Sequence, residues 1–355
     1  MIRHEGGSGT NGERASVFAH GKHRRGSDGR RGRGGLGRRR EGSRGEQAMV
    51  PDARFSSYYG RPIINAPVWG SPEIPGYLFL GGLAGASSLL GAGAQLTGRG
   101  TLERVAKAGA VAAGGLSMIA LVRDLGRPER FVNMLRTFKV TSPMSVGSWL
   151  LSGYLPAATV AGGCALTGRL PRIGAVASAG AALIGPGVAA YTAALLSDTA
   201  VTAWHEGYRE LPFVFVGSAA MAAGGLGMLG APGEADPARN LALAGVCTEL
   251  TASLIMEQRG GLVAETYRTG KSGAYLRASK ALAVVGVAGT VFGGRSPLVR
   301  RLSGVAFLAA SASTRFGIFH SGLASAKDPK FTVVPQRERL DAARQTRQEA
   351  ATRRG

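Results

Sequence analysis

Long stretches of this chain carry no charge at all. No Asp, Glu, Lys or Arg falls between Glu73 and Arg99, between Lys139 and Arg169, between Arg172 and Asp198, or between Glu210 and Glu234. About 20 residues of apolar helix cross a hydrocarbon layer of roughly 30 Å, so each gap is long enough to span one. A hydrophobic content of 45% with 56 glycines also suits lipid better than a water-soluble core. Because a backbone in lipid must satisfy its own hydrogen bonds, the expected fold class is an all-α integral membrane protein.

The most economical parse places eight hydrophobic helices at 74–97, 103–122, 146–167, 173–196, 211–230, 239–257, 277–293 and 299–319. They form a bundle within residues 54–322, followed by a polar C-terminal tail, 323–355. Lys280, Arg295, Arg301 and Arg315 interrupt the last two helices, which span only if those side chains snorkel or face protein. Gly81 and Gly85 stand four apart in "GGLAGASSLLGAGA", a spacing that lets helix backbones approach closely. An even number of helices puts both termini on one side, here called face A. Its connections are long and polar, whereas face B has short links such as "TGRGTLER", "TGRLPR" and "GGRSPLVRR". The basic residues slightly favour a cytoplasmic face A in a multi-pass protein of the cell membrane.

The formal charge of +21 raises the question of nucleic acid, and its location answers it. Residues 1–48 hold 12 Lys+Arg and 5 Asp+Glu, a net of +7 (12 − 5), in a low-complexity run without an apolar segment. Such a run is expected to be a disordered Arg/Gly-rich extension. Its composition fits an RNA-binding tail. The favoured expectation is instead a dispensable extension outside the native protein, with Met49 as the start, and no nucleic-acid partner.

Several redox designs are excluded. Cys164 and Cys247 each lie alone in apolar sequence, so the chain is expected to carry no iron-sulfur cluster. Of five histidines only His205 and His320 fall in the bundle, both near helix ends, which argues against a bis-histidine haem. No phosphate-binding loop, dinucleotide fingerprint or metal-ligand spacing is present.

The remaining chemistry lies in ionisable groups at membrane depth or at its edge. Glu73 and Tyr77 are one turn apart and face the same way. They read either as a helix-start carboxylate with an interfacial tyrosine, or as a pair that holds quinone carbonyl oxygens and passes protons. Glu249 and Glu257 share one face of the sixth helix. A carboxylate near the bilayer centre costs about 2.5–3.5 kcal/mol, so a partner or a proton task is expected, more strongly for Glu249. Asp198 opens "DTAVTAWHE", where His205 beside carboxylates fits an interfacial anchor and a proton relay equally well.

"DLGRPERF" at 124–131 combines Asp124, Arg127, Glu129 and Arg130 around a proline that forces an extended break. "TSPMSVGSW" at 141–149 starts the third helix, where Ser142 or Ser145 can cap amides and Pro143 suits the first turn. A plain solvated loop would need none of this.

These segments, with "YYGRPIINAPVW" (58–69), "EIPGYLFLGGLAGASSLLGA" (73–92), "ALLSDTAVTAWHE" (194–206) and "KDPKFTVVPQR" (327–337), resemble the NrfD/polysulfide-reductase membrane-subunit family. The resemblance implies a haem-free bundle of eight or nine helices that binds menaquinone or ubiquinone. It also implies a partner, a ferredoxin-like four-cluster iron-sulfur subunit, and through it a molybdopterin catalytic subunit of formate dehydrogenase or polysulfide reductase type. On that model Glu73, Tyr77 and Asp124 carry the quinone chemistry, and Arg127 and Ser145 form the pocket rim. Asp198, His205 and Glu249 serve protons, while Glu129 and Arg130 meet the partner. Some family members have an asparagine and a histidine near the start of the first helix; here Glu73 and Tyr77 stand instead. The competing class is a transporter that uses Glu249 and Glu257 as coupling groups. It calls for broken helices in corresponding halves, and Pro186 is the interruption read from the sequence.

Overall fold

The computed structural model describes residues 62–65, 67, 69–125, 129–293 and 296–352. The expectations for residues 1–48, for Arg127 and Arg295, and for the side chain of Arg130 lie outside the described residues. Among the described residues twelve α-helices follow one another: α1 (Glu73–Leu96), α2 (Gly100–Leu125), α3 (Glu129–Met134), α4 (Pro143–Thr167), α5 (Pro171–Ser197), α6 (Thr202–Glu206), α7 (Leu211–Gly230), α8 (Asp236–Arg259), α9 (Glu265–Arg268), α10 (Gly270–Phe292), α11 (Pro297–Lys327) and α12 (Lys330–Thr352). No strand occurs among the described residues.

Each of the eight expected helices is present, and seven are long and apolar enough to cross a membrane. The eighth, α8, is long but more polar, with Arg239, Glu249 and Glu257 along it. It lies against α7 at two close crossings. A methyl added at Gly217 would sit 2.6 Å from the Glu249 amide nitrogen, and one at Gly224 would sit 2.3 Å from the Ala238 carbonyl oxygen. Similarly, a methyl at Gly85 would fall 2.2 Å from the carbonyl oxygen of Gly185, so α1 and α5 touch backbone to backbone. Only glycine permits that approach, and the small-residue spacing read in α1 serves it.

Two-thirds of the apolar stretches of α1 and α7 are buried, against a third or less of those of α2, α4, α5 and α10. The first pair, with α11, therefore forms the inside of the bundle and the others its rim. Both α4 and α5 run through Pro156 and Pro186 without a break. The short helices α3, α6 and α9 all fall in face A connections. The polar tail is not simply extended chain. Helix α11 continues to Lys327, and 31 residues at 1.5 Å each give ~46 Å, longer than the hydrocarbon layer. Next, α12 is tied to face A by Lys330 to Glu265 (3.0 Å) and by an Arg339–Glu206 ion pair.

On face B the link after α7 supplies a long-range cap. Glu234 accepts from the backbone N–H groups of Leu102 (2.9 Å) and Thr101 (3.3 Å) at the start of α2. The Leu102 amide is the main cause holding its carboxyl below the usual glutamate range, with Arg99 adding to it. A carboxylate at a helix N-terminus is favourable for both its hydrogen bonds and its charge.

Candidate functional site

At face A the start of α1, the end of α2, the start of α4 and the end of α5 enclose a cavity of about 90 Å³. Its polar lining is Tyr77, Asp124, Ser148 and Tyr191, and its apolar walls include Trp69, Ile74, Leu121, Met134, Leu151 and Leu195. Pockets for drug-sized ligands run to about 300–1,000 Å³, so this one has room for a single ring-sized group.

Local sequence explains the shape. Ser142 is the N-cap of α4, accepting from the Ser145 amide (3.4 Å), and Pro143 occupies the first turn. Gly147 comes one turn later, and a methyl there would lie 2.2 Å from Cε2 of Tyr191. The Tyr191 ring thus packs closely against the bare backbone of Gly147, which gives the glycine of "TSPMSVGSW" its purpose. Ser148 donates to the Met144 carbonyl (2.9 Å) inside the same turn. On the opposite wall Asp124 Oδ1 accepts the Gly70 N–H at 3.0 Å, holding the segment before α1 in place. A methyl on Gly70 would fall 2.7 Å from Glu73 Oε2 and 3.4 Å from Asp124 Oδ1, so both carboxylates gather over one glycine. Trp69 stacks on Trp204 (5.4 Å between centroids, 18° between planes), and the Trp204 indole N–H donates to the Ile318 carbonyl (2.8 Å). A backbone segment without helix is in this way pinned by rings and one carboxylate.

The two phenols are the reactive part of the lining. Tyr77 is 2% exposed and Tyr191 8% exposed. The Tyr191 hydroxyl is buried with no hydrogen-bond partner among the described residues. Buried hydroxyls are normally paired, and an unpaired one calls for an acceptor that belongs to something else. A mostly apolar slot with two phenolic donors and a carboxylate at its edge suits a flat apolar ring that bears oxygen acceptors.

The residues expected at a site divide into those brought together here and those placed elsewhere. Tyr77 and Asp124 line the cavity, and Glu73 stands at its edge through Gly70. Ser145 is not in the lining: its hydroxyl donates to the Thr137 carbonyl (2.9 Å) and accepts the Lys139 N–H (3.1 Å), closing the loop before α4. Glu129 is exposed on α3. Asp198 is exposed at the C-cap of α5. His205 lies 3.1 Å through Nδ1 from the Ser197 carbonyl and lines a separate depression of about 330 Å³ with Glu206 and Arg339. Glu257 is held by Lys280 (2.6 Å) and Arg268 (3.6 Å).

Glu249 lies deep in the bundle, where Thr314 donates to its Oε1 (2.5 Å) and Ser279 contacts Thr314 (2.7 Å). The next residue along α11, Arg315, is 0% exposed. It donates to the Phe215 carbonyl (2.7 Å) and lies 3.8 Å over the Phe215 ring. Glu249 Oε2 and Arg315 Nε and Nη1 have no hydrogen-bond partner among the described residues. Arg315 faces protein, one of the two outcomes the sequence allowed. Sequence reasoning missed Tyr191 and Gly147. The one available signal was a lone phenol in the apolar run "GPGVAAYTAALLS".

The fold defines a multi-pass helical membrane protein with a small, mostly apolar cavity at one face. Residues 63–231 match the family model described as Polysulphide reductase, NrfD. Over that stretch, just under half of the 355 residues, the chain is similar to that family. The match takes in α1 to α7, with every residue of the cavity, and ends before α8. No curated protein matches the chain.

Proposed function

We propose that this protein is the quinone-reactive membrane anchor of an iron-sulfur molybdoenzyme of formate dehydrogenase or polysulfide reductase type. It passes electrons between a partner's [4Fe-4S] cluster at face A and menaquinone or ubiquinone in the Tyr77–Tyr191 cavity. The observation that carries this reading is the buried Tyr191 hydroxyl, without a hydrogen-bond partner among the described residues, in an apolar slot that Tyr77 also lines. When bound, the quinone supplies a two-electron, two-proton couple. Tyr77 and Tyr191 donate hydrogen bonds to its ring oxygens and orient it, while Leu121, Leu151 and Leu195 exclude water from the ring. Asp124 and Glu73, at the edge, hold or release protons toward face A. Exposed Glu129, with Arg130 beside it in the chain, contributes to the partner's docking surface.

Tyr77→Phe and Glu73→Gln test this in the intact complex. Both are expected to depress quinone-coupled turnover and to leave reduction of a soluble dye unchanged, because the dye takes electrons upstream. Unaltered quinone kinetics in both variants would remove the cavity from the reaction.

A second reading, ion translocation through Glu249, is favoured by the unpartnered polar atoms around Glu249 and Arg315. The unbroken α4 and α5 speak against a transporter built from interrupted helices. Proteoliposomes holding the isolated chain distinguish the two: ion uptake abolished by Glu249→Gln supports translocation, and its absence supports the anchor.

A further inference from the structure

A groove of about 630 Å³, larger than the slot described above, lies on the outside of the bundle between α7 and α8, lined by Arg209, Glu210, Phe213, Cys247, Thr251, Ile255 and Arg259. Arg209 and Glu210 directly precede α7, and Arg259 ends α8, so all three charges sit at the face A rim. Below them the α8 wall runs Ile255, Thr251 and Cys247 in steps of four, a single stripe. Twelve residues separate Cys247 from Arg259 (259 − 247), or ~18 Å at 1.5 Å per residue, and one leaflet of a roughly 30 Å hydrocarbon layer is about 15 Å deep. Phe213 (62%) and Ile255 (42%) remain exposed at its upper end.

Charge identifies what fits. Arg259 is paired with Glu210 at 3.0 Å. Arg209 donates through Nε to the Tyr208 hydroxyl (2.7 Å), and among the described residues no carboxylate pairs with it. The rim therefore carries a net positive charge, from two guanidiniums and one carboxylate. A guanidinium recognises phosphate by paired hydrogen bonds, and a groove one leaflet deep beneath it accepts an acyl chain.

We infer that the α7–α8 groove is a binding site for an anionic phospholipid, with the phosphate on Arg209 and Arg259 and an acyl chain along Ile255, Thr251 and Cys247. A partner's transmembrane helix is the competing occupant.

The test is native mass spectrometry of the full chain in detergent, titrated with phosphatidylglycerol and with phosphatidylcholine of identical acyl chains. The wild type is expected to retain phosphatidylglycerol about fivefold better, the factor that roughly 1 kcal/mol per basic side chain near an anionic headgroup corresponds to. Arg209→Gln should abolish that preference, leaving the Arg259–Glu210 pair intact. Thr251→Trp, a change on an exposed face, should reduce retention of both lipids by filling the groove. Equal retention of the two lipids by the wild type, or an unchanged preference in Arg209→Gln, overturns the inference. So does a cross-link from Cys247 to another polypeptide in native membranes.

Discussion

Replacing Tyr191 by phenylalanine separates the contribution of the hydroxyl from that of the ring. The ring stays, so its contact with Gly147 is preserved and no cavity opens. What disappears is a buried hydroxyl without a hydrogen-bond partner among the described residues. Leaving such a group unsatisfied costs about 1–3 kcal/mol, so its removal should leave the folded protein as stable as before or more stable by up to that amount. Quinone binding should move in the opposite direction. A hydrogen bond from the phenol to a ring oxygen is worth about 0.5–1.5 kcal/mol net, which corresponds to roughly a two- to tenfold rise in KM for quinone. The assay is steady-state turnover of the whole complex in liposomes over a quinone series, with dye reduction as the internal control, alongside thermal inactivation of the detergent-solubilised protein. The expected outcome is a raised KM, unchanged dye reduction and an inactivation temperature that does not fall. A KM equal to wild type, or an inactivation temperature lowered by several degrees, refutes the assignment. The second result would mean that the hydroxyl already has a structural partner.

Three further outcomes follow from the same geometry. Gly147→Ala places a methyl 2.2 Å from the Tyr191 ring and displaces it, at an overpacking cost of about 1–3 kcal/mol; quinone turnover should fall more than in Tyr191→Phe, with dye reduction retained. Arg315→Met removes the buried guanidinium that donates to the Phe215 carbonyl and whose charge acts on Glu249, and should lower stability by about 1–3 kcal/mol. Adding Glu249→Gln to that variant should recover part of the thermal stability, and a double mutant no better than Arg315→Met would show that the two groups are independent. Finally, Glu234 caps α2, and its carboxyl is held below the usual glutamate range by the Leu102 amide. Since the folded-state value is the lower one, the stabilisation is present above the unfolded value, near 4.3, and is lost as pH falls through the folded value. Glu234→Ala should cost about 1 kcal/mol at neutral pH, and thermal inactivation followed from pH 7 to 3 should show the difference from wild type shrinking toward the acid end.

The membrane bundle was legible in the sequence because the requirement behind it is one-dimensional. A helix in lipid needs about 20 residues free of charge, and the intervals between Glu73 and Arg99 or Lys139 and Arg169 meet it whatever the rest of the chain does. Face A was legible for a related reason, since polar connections alternate sides with each crossing. Asp124 and Tyr77 stood out as polar groups next to apolar runs, and the cavity brings them together.

Which side chains meet inside the bundle could not be read in that way. A helix in lipid is apolar on every side, so its pattern does not say which face is inner. That is decided by where two backbones can touch, as at Gly85 and Gly185, and by the rotation those contacts impose. Tyr191, 114 residues beyond Tyr77 (191 − 77), enters the slot only through such packing, and Arg315 comes to lie beside the Glu249–Thr314 contact for the same reason. Ser145 shows the converse. The family resemblance implied a place on a pocket rim, while the nearer backbone groups of Thr137 and Lys139 took its hydroxyl for the loop. Charge spacing along the chain thus determined the bundle and its polar face, whereas the pairing of side chains across helices was left to close packing, which acts only in three dimensions.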